Sequence, residues 1–341
     1  MSDEARPDDS SHQPNRVSDA PIPWDRATED DIHSCYRLLL GRPPDPGGLA
    51  TYGSIVRDRD ISVDLLVTMF LASAEYKHKH PAGAGEEPVC RKLLGFQIYA
   101  SPDDWAVGQH ILETGMHEAH VTNVMKRVLR PGMVFVDIGA NIGFFTLLAR
   151  SIVGSKGRVY AFEPNPRNVA LLDLSLRANS FQDVELFPFA LADSARLFVY
   201  DAQGSNGVIT SFDGNLRISA ASSLIRSVCM DRVLPLDRCD VLKIDVEGAE
   251  GLALKGALGT IRSHHPRIFS EFSPPGLGII SRMSGEDYLK LLFAEGYSVA
   301  VIEPSAALTD CGQDAAKVMQ CFQRAGASHI DILATCPRRP A

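Results

Sequence analysis

Three short stretches of the chain place acidic side chains at the ends of apolar runs, where an open sheet presents its ligand-binding edge. The first, VFVDIGANIGFFT over residues 134–146, reads as a strand that ends in Asp137 and turns through Gly139, Asn141 and Gly143 into a helix. Glycines in such a turn let backbone approach a ligand closely, and the exposed amides of the following helix attract a negative group. The second, RVYAFEPNP over 158–166, ends in Glu163, which stands 26 positions after Asp137. That spacing is close to the ~20-residue offset at which a carboxylate reaches ribose hydroxyls. The third, VLKIDVEGAE over 241–250, brings Asp245 and Glu247 to a strand tip just before Gly248, and RIFSEF (267–272) adds Glu271 at the end of the next strand.

Each stretch has a plainer reading. The dinucleotide form of the first turn is G-x-G-x-x-G, and this one is G-x-N-x-G, so an NAD(P) site stays open on Glu163 but is disfavoured by the glycine pattern. Glu163 also reads as an exposed residue ahead of Pro164. Glu247 and Glu250 read as first-turn acids of a helix, worth ~0.3–1 kcal/mol each, and Glu271 as a surface carboxylate. The turn chemistry nonetheless suits a zwitterionic amino acid group, with Asp137 opposing an ammonium while helix amides receive a carboxylate. The methionine end of S-adenosylmethionine is such a group.

The elements that must hold these residues follow from the hydrophobic pattern. Apolar runs at 134–139, 158–164, 184–190, 240–246, 267–272, 297–302 and 329–334 alternate with helical segments, among them a lead-in helix over 103–129. This is the rhythm of βαβ units and predicts a doubly wound, mainly parallel α/β sheet of about seven strands. Ahead of it, Thr28 with Asp31 forms a capping box before Ile32, Cys35, Tyr36, Leu39 and Leu40, and Gly41 stops that helix. Two more helical patterns follow, and the PAGAGEEP segment (81–88) reads as a linker. The expected organisation is a disordered tail over 1–24, a small helical module over 25–80, the linker 81–88 and an α/β domain over 89–341. Residues 200–230, rich in Gly, Ser and Asn, read as a mobile cover over the cleft.

Composition narrows the function. Hydrophobic residues make up 45% and charged residues 22% of 341, the balance of a folded globular protein. A net charge of -8 has the wrong sign for a protein held by nucleic-acid phosphates. No run approaches the ~18–20 apolar residues of a membrane span, and the acidic start lacks the apolar core of a secretory signal. A cytoplasmic location is the expectation. The seven cysteines are scattered without a C-x-x-C pair and read as reduced thiols, with no structural zinc.

In order along the chain, GMHE (115–118), VDIGANIGFFT, FEPNP, FALAD (189–193), LPLD (234–237), KIDVEGAE and SEF resemble the FkbM-type S-adenosylmethionine-dependent methyltransferases over residues 103–335. The resemblance implies a class I, Rossmann-like methyltransferase fold whose last strand runs antiparallel, and methyl transfer to an oxygen. Relatives of this kind act on hydroxyls of sugars or secondary metabolites. By position, Asp137, Gly139, Asn141 and Gly143 correspond to the methionine-binding loop and Glu163 to the ribose contact. Ala190, Leu191 or Asp193 would lie by the adenine, Glu118 would close over the methionine end, and Asp245 stands on the cofactor side as well.

The resemblance transfers no general base. Asp245 and Glu247, then Glu271, are the best-placed catalytic candidates, with His117, His120, His264 and His265 as further options. A required Mg²⁺ held by Asp245, Glu247 and Glu271 is the competing device; metal-free transfer is preferred. The segment CYRLLLGRPPDPGGLATY followed by FLASAEY (70–76) is similar to an uncharacterised bacterial module that accompanies glycan-modifying enzymes. This favours a sugar acceptor and a glycan-modifying partner on residues 25–80. The alternative is a non-catalytic protein that binds S-adenosylmethionine and docks such a partner.

Overall fold

The computed structural model describes residues 26–59, 61–73, 75–76, 87–93, 95–211 and 222–337. The expected tail (1–24), most of the expected linker and the middle of the expected cleft cover (212–221) lie outside the described residues. The chain divides into two compact units, Met1–Gly83 and Ala84–Ala341.

The first unit is built from helices α1 (Glu29–Leu40), α2 (Pro46–Arg59) and α3 (Val63–Ala72). Thr28 and Asp31 form the capping box that starts α1, and Gly41 ends it at φ 63°, a left-handed conformation that glycine adopts without strain. Tyr36, Tyr52 and Phe70 pack ring against ring in its core, with Ile32 and Leu66 fully buried. Arg42 forks onto Glu75 at 2.6 and 2.5 Å and also reaches Asp45 at 3.0 Å, tying the turn after α1 to the end of the unit.

In the second unit the strands, in chain order, are β1 (Val89–Leu93), β2 (Phe96–Ala100), β3 (Val134–Ile138), β4 (Arg158–Phe162), β5 (Val184–Phe187), β6 (Ala190–Leu191), β7 (Leu197–Gln203), β8 (Asn206–Ser211), β9 (Ser222–Val228), β10 (Val241–Ile244), β11 (Arg267–Phe272), β12 (Ser298–Ile302), β13 (Leu308–Gly312) and β14 (Ile330–Thr335). The main sheet has the order β13-β12-β14-β11-β10-β3-β4-β5. The run β11-β10-β3-β4-β5 is parallel, and β14 lies antiparallel between β11 and β12. All the expected strands are in this sheet. One more, β13, pairs antiparallel at its edge and makes eight.

The core strands are buried on both faces, as a covered parallel sheet requires: β10 has no exposed residue and β3 buries Phe135 to Ile138. Chain order reverses between β3 and β10. Ligands of open α/β sheets bind outside the carboxyl ends of strands at such a reversal, and the Asp137 and Asp245 stretches both end there.

Two features differ from the sequence expectation. The lead-in is two helices, Gly108–Thr114 and Ala119–Val128, because Gly115 (φ 76°) and Glu118 (φ 38°) take left-handed conformations between them. The expected cover is in large part a regular four-stranded sheet, β6-β9-β7-β8. Its Gly and Ser serve a two-residue hairpin turn, with Gly204 at φ 68° between the paired Gln203 and Asn206. Among the described residues, no helix is long and apolar enough to cross a membrane.

Candidate active site

A cavity of about 300 Å³ opens at the carboxyl ends of β3, β4 and β10, at the small end of the size range for ligand pockets. Its floor is the glycine turn. Gly139 and Ala140 donate their amides to the Phe162 carbonyl at 2.9 and 3.0 Å, and Asp245 donates to the Ile138 carbonyl at 3.0 Å. A side chain at Gly139, where φ is 81°, would put its Cβ 1.9 Å from the Asp245 carbonyl oxygen. Only glycine fits. Asn141 also has positive φ, and its Oδ1 accepts from the Ile142 amide at 2.7 Å, which holds the turn open toward the cavity. Gly143 begins the helix Phe144–Val153 with its Cα face against Leu172; it supports the turn but does not line the cavity.

Asp137 lies deeper than its place at a strand tip suggested. It sits on β3 with no solvent exposure and does not line the cavity. Its Oδ2 accepts from the Thr146 hydroxyl at 2.6 Å, and Oδ1 has no hydrogen-bond partner among the described residues. Burial raises its pKa, with Lys243 opposing that rise. Asp137 stands in register with Lys243 on the neighbouring parallel strand, so the two side chains share a face of the sheet, and its bond to Thr146 ties the strand tip to the helix that follows.

Glu163 does face the cavity, at 5% exposure. One carboxylate oxygen accepts from the Asn141 amide at 2.8 Å, and the other from the Asn165 amide at 2.8 Å and Asn168 Nδ2 at 3.3 Å. Burial outweighs these bonds and pushes its pKa to about 7. Ala190 and Leu191 line the adjoining wall. Asp193 does not: it lies at the surface in an ion pair with Arg196, so this wall is apolar where the sequence reading allowed an acid.

The opposite end of the cavity is strongly charged. Lys243, 4% exposed, bonds to Asp245 Oδ2 at 2.6 Å and places its ammonium 4.7 Å from the centre of the Phe145 ring. Burial works against both charges. The pair overcomes this, since Lys243 holds Asp245 below the usual carboxylate range while Asp245, Asp137 and Glu118 keep Lys243 above the usual lysine value. Glu118, Glu247 and Glu271 complete the lining at this end. Burial and the neighbouring Asp245 raise Glu118 to about 8, Glu247 to about 7 and Glu271 to about 10. Glu247 and Glu118 both hold positive φ, a strained conformation for residues with side chains and one that concentrates at functional sites.

Of the candidate histidines, only His117 lines the cavity, and burial beside Lys243 depresses it to about 4, so it is neutral near pH 7. His120 binds Asp331 at 2.6 Å, and His264 binds the Leu236 carbonyl at 2.8 Å. Glu250 is fully buried and accepts from the amides of Val246 and Gly248, both at 3.0 Å, which fixes the loop that carries Glu247. Lys243, His329, Tyr200, Ser205 and Asn206 line the cavity without having been singled out from sequence. Lys243 stood inside a quoted motif, and a lysine in an otherwise apolar strand was the available signal.

The sheet order and the turn define a class I, Rossmann-like methyltransferase fold. Residues 137–299, just under half of the chain, match the family described as the methyltransferase FkbM domain. Over 167 residues the chain is 32% identical to the AMB antimetabolite synthetase AmbE of Pseudomonas aeruginosa, covering 38% of this chain and 8% of that protein. A Sulfolobus acidocaldarius protein named "Probable cobalt-precorrin-6B C(15)-methyltransferase (decarboxylating)" is 32% identical over 85 residues, 25% of this chain and 44% of its own length. The chain therefore spans less than half of either curated relative. The crystal structure of methyltransferase FkbM from Methylobacillus flagellatus superposes with a TM-score of 0.38 at 18% identity, over 62% of this chain and 50% of that one.

S-adenosylmethionine is the cofactor that the match to a methyltransferase domain implies. The cavity suits it chemically. A turn that tolerates only glycine lets backbone approach, a nearly buried carboxylate waits at the β4 tip, and an acid-rich end offers opposite charge to a sulfonium and an ammonium.

Proposed function

We propose that the protein methylates a hydroxyl oxygen on a sugar, a glycan precursor or a secondary metabolite. The observation that carries this reading is Glu247: a cavity-lining carboxylate on a strained backbone, raised to about 7. A base with a pKa near the working pH is both largely ionised and basic enough to take a proton from an alcohol as it attacks.

When bound, S-adenosylmethionine supplies an electrophilic methyl group on a positively charged sulfur. The turn from Gly139 to Asn141, Glu163 and Ala190 would hold its nucleoside, with Gly143 supporting the turn and Asp137 tying the strand to the following helix through Thr146. Glu118 and Asp245 would sit at the methionine end, Asp245 kept ionised by Lys243. Glu247 accepts the acceptor's hydroxyl proton as the new oxygen–carbon bond forms. Glu271, whose Oε2 is 3.8 Å from His329 Nδ1, flanks the same space and orients the acceptor. Alignment of the reactants can supply ~7–11 kcal/mol of barrier lowering, against the ~10²–10⁴-fold of a general base. Positioning dominates.

The helical unit's similarity to modules that accompany glycan-modifying enzymes favours a sugar-type acceptor and a docked partner of that kind. The test is transfer of labelled methyl groups to a panel of sugars, oligosaccharides and polyols, with the product bond identified by mass spectrometry. An O-methyl product is expected. A product methylated on nitrogen or carbon, or cofactor binding with no transfer to any member of the panel, would overturn the reading.

A further inference from the structure

Ser205 occupies the second position of the β7–β8 hairpin turn and is 5% exposed. Its peptide is bolted on both sides. The amide donates to Asp104 Oδ1 at 2.8 Å, and the carbonyl accepts from Asn168 Nδ2 at 2.7 Å and from the Tyr200 hydroxyl at 3.4 Å. Asp104, itself buried, also receives the amides of Ala106 at 3.2 Å and Gly108 at 2.7 Å, so the anchor is rigid. The next residue, Asn206, accepts from Asn141 Nδ2 at 2.9 Å and pins the hairpin to the glycine turn. The one polar group left over is the Ser205 hydroxyl. It has no hydrogen-bond partner among the described residues, and Ser205 lines the cavity.

A buried hydroxyl without a partner is destabilising, because it has given up its bonds to water and gained none in return. Three anchors fix its position without satisfying it, which is the arrangement expected where a ligand completes the bonding. We infer that the Ser205 hydroxyl is a cofactor contact, donating a hydrogen bond to a ribose hydroxyl of S-adenosylmethionine beside Glu163. The inference rests on the reading that this cavity holds the cofactor with its ribose at Glu163.

Two observations select the ribose. Asn168 Nδ2 bridges the Ser205 carbonyl and Glu163 Oε1, at 2.7 and 3.3 Å, which sets the serine and the carboxylate side by side. An ionised carboxylate only accepts, whereas a serine hydroxyl can donate. A ribose diol both donates and accepts, so Glu163 takes its hydrogens while Ser205 gives one to its oxygen.

The test is calorimetric titration of the full chain, wild type and Ser205→Ala, with S-adenosylhomocysteine and with its 2′-deoxy and 3′-deoxy analogues. Loss of one hydrogen bond weakens S-adenosylhomocysteine binding roughly 2- to 12-fold in the variant, from the ~0.5–1.5 kcal/mol net value of such a bond. For one deoxy analogue the variant and the wild type bind alike, because the partner is already missing. The unliganded variant melts at or above the wild-type temperature, since the hydroxyl bonds to nothing in the free protein and its removal relieves the cost of burying it. Unchanged affinity for S-adenosylhomocysteine, an equal loss for all three ligands, or a lowered melting temperature of the free variant would each overturn the serine contact. Absence of binding to the wild type would instead sink the cofactor reading beneath it.

Discussion

At the scale of single residues, the cavity divides its carboxylates by environment. Asp245 is held ionised by a buried ammonium at 2.6 Å, while Glu247, two positions on, is raised to about 7 by burial and by Asp245 itself. Two acids with pKa values pushed apart by their surroundings take different roles. Glu247→Gln therefore lowers turnover by ~10²–10⁴-fold, far more than it weakens cofactor binding, which steady-state kinetics and calorimetry separate. Because the base must be ionised, wild-type turnover climbs as pH rises through about 7, and the variant loses that dependence. A variant that keeps the wild-type rate removes Glu247 from the chemistry. Lys243→Met is expected to act differently: stripping the partner from a mostly buried charge costs ~3–5 kcal/mol. Chemical denaturation would register that loss, together with weaker cofactor binding as Asp245 becomes easier to protonate.

At the scale of elements, the turn from β3 and the loop from β10 are built as one object. The Gly139 Cα faces the Asp245 carbonyl so closely that an added methyl would lie 1.9 Å from it, at a φ of 81° that disfavours any side chain. Gly139→Ala must displace one strand tip from the other. The expected result is a fall in stability of at least ~1–3 kcal/mol from backbone strain alone, with cofactor binding lost; a variant that still titrates with wild-type affinity would show the two tips to be independent. This close approach was legible in the sequence only as a glycine in the right place. The strands of the parallel sheet were legible because buried strands are continuous apolar runs, and the chemistry at their tips because acids stand out at the ends of such runs. Asp137 was legible as a strand-tip acid but not as a fully buried one bonded to Thr146, because sequence marks a strand tip without saying how deep its side chain lies. The β7–β8 hairpin was misread because its Gly, Ser and Asn, which look like loose chain, are turn and anchor residues whose partners Asp104 and Asn168 are distant in sequence.

At the scale of the whole α/β unit, five carboxyl side chains line one cavity with a single lysine, and the fold carries the cost of that crowding until a cation enters. Glu163, Glu247 and Glu250 are each raised from 4.5 to about 7, Glu118 to about 8 and Glu271 to about 10. A carboxyl whose folded pKa lies above its unfolded value stabilises the protein fully below the unfolded value, and that contribution is lost as pH rises through the folded one. His117, depressed from 6.5 to about 4, works in the opposite sense over that lower range, as one group against several. The unliganded protein is therefore expected to melt progressively lower between pH 5 and pH 8. S-adenosylmethionine, bringing a sulfonium and an ammonium to the acidic end, relieves the repulsion most where the acids are most ionised. At ~100 times its dissociation constant a ligand adds ~2.7 kcal/mol, and at ~2–4 °C per kcal/mol for a unit of this size the melting point rises by about 5–11 °C. At one fixed ligand concentration the rise should be larger at pH 8 than at pH 5, and smaller for S-adenosylhomocysteine, whose uncharged sulfur makes it the weaker ligand, at that same concentration. Differential scanning calorimetry across that range decides it: a melting point that climbs with pH, or a ligand shift that shrinks as the acids ionise, would mean that the cavity's charge is not what the cofactor's sulfonium meets.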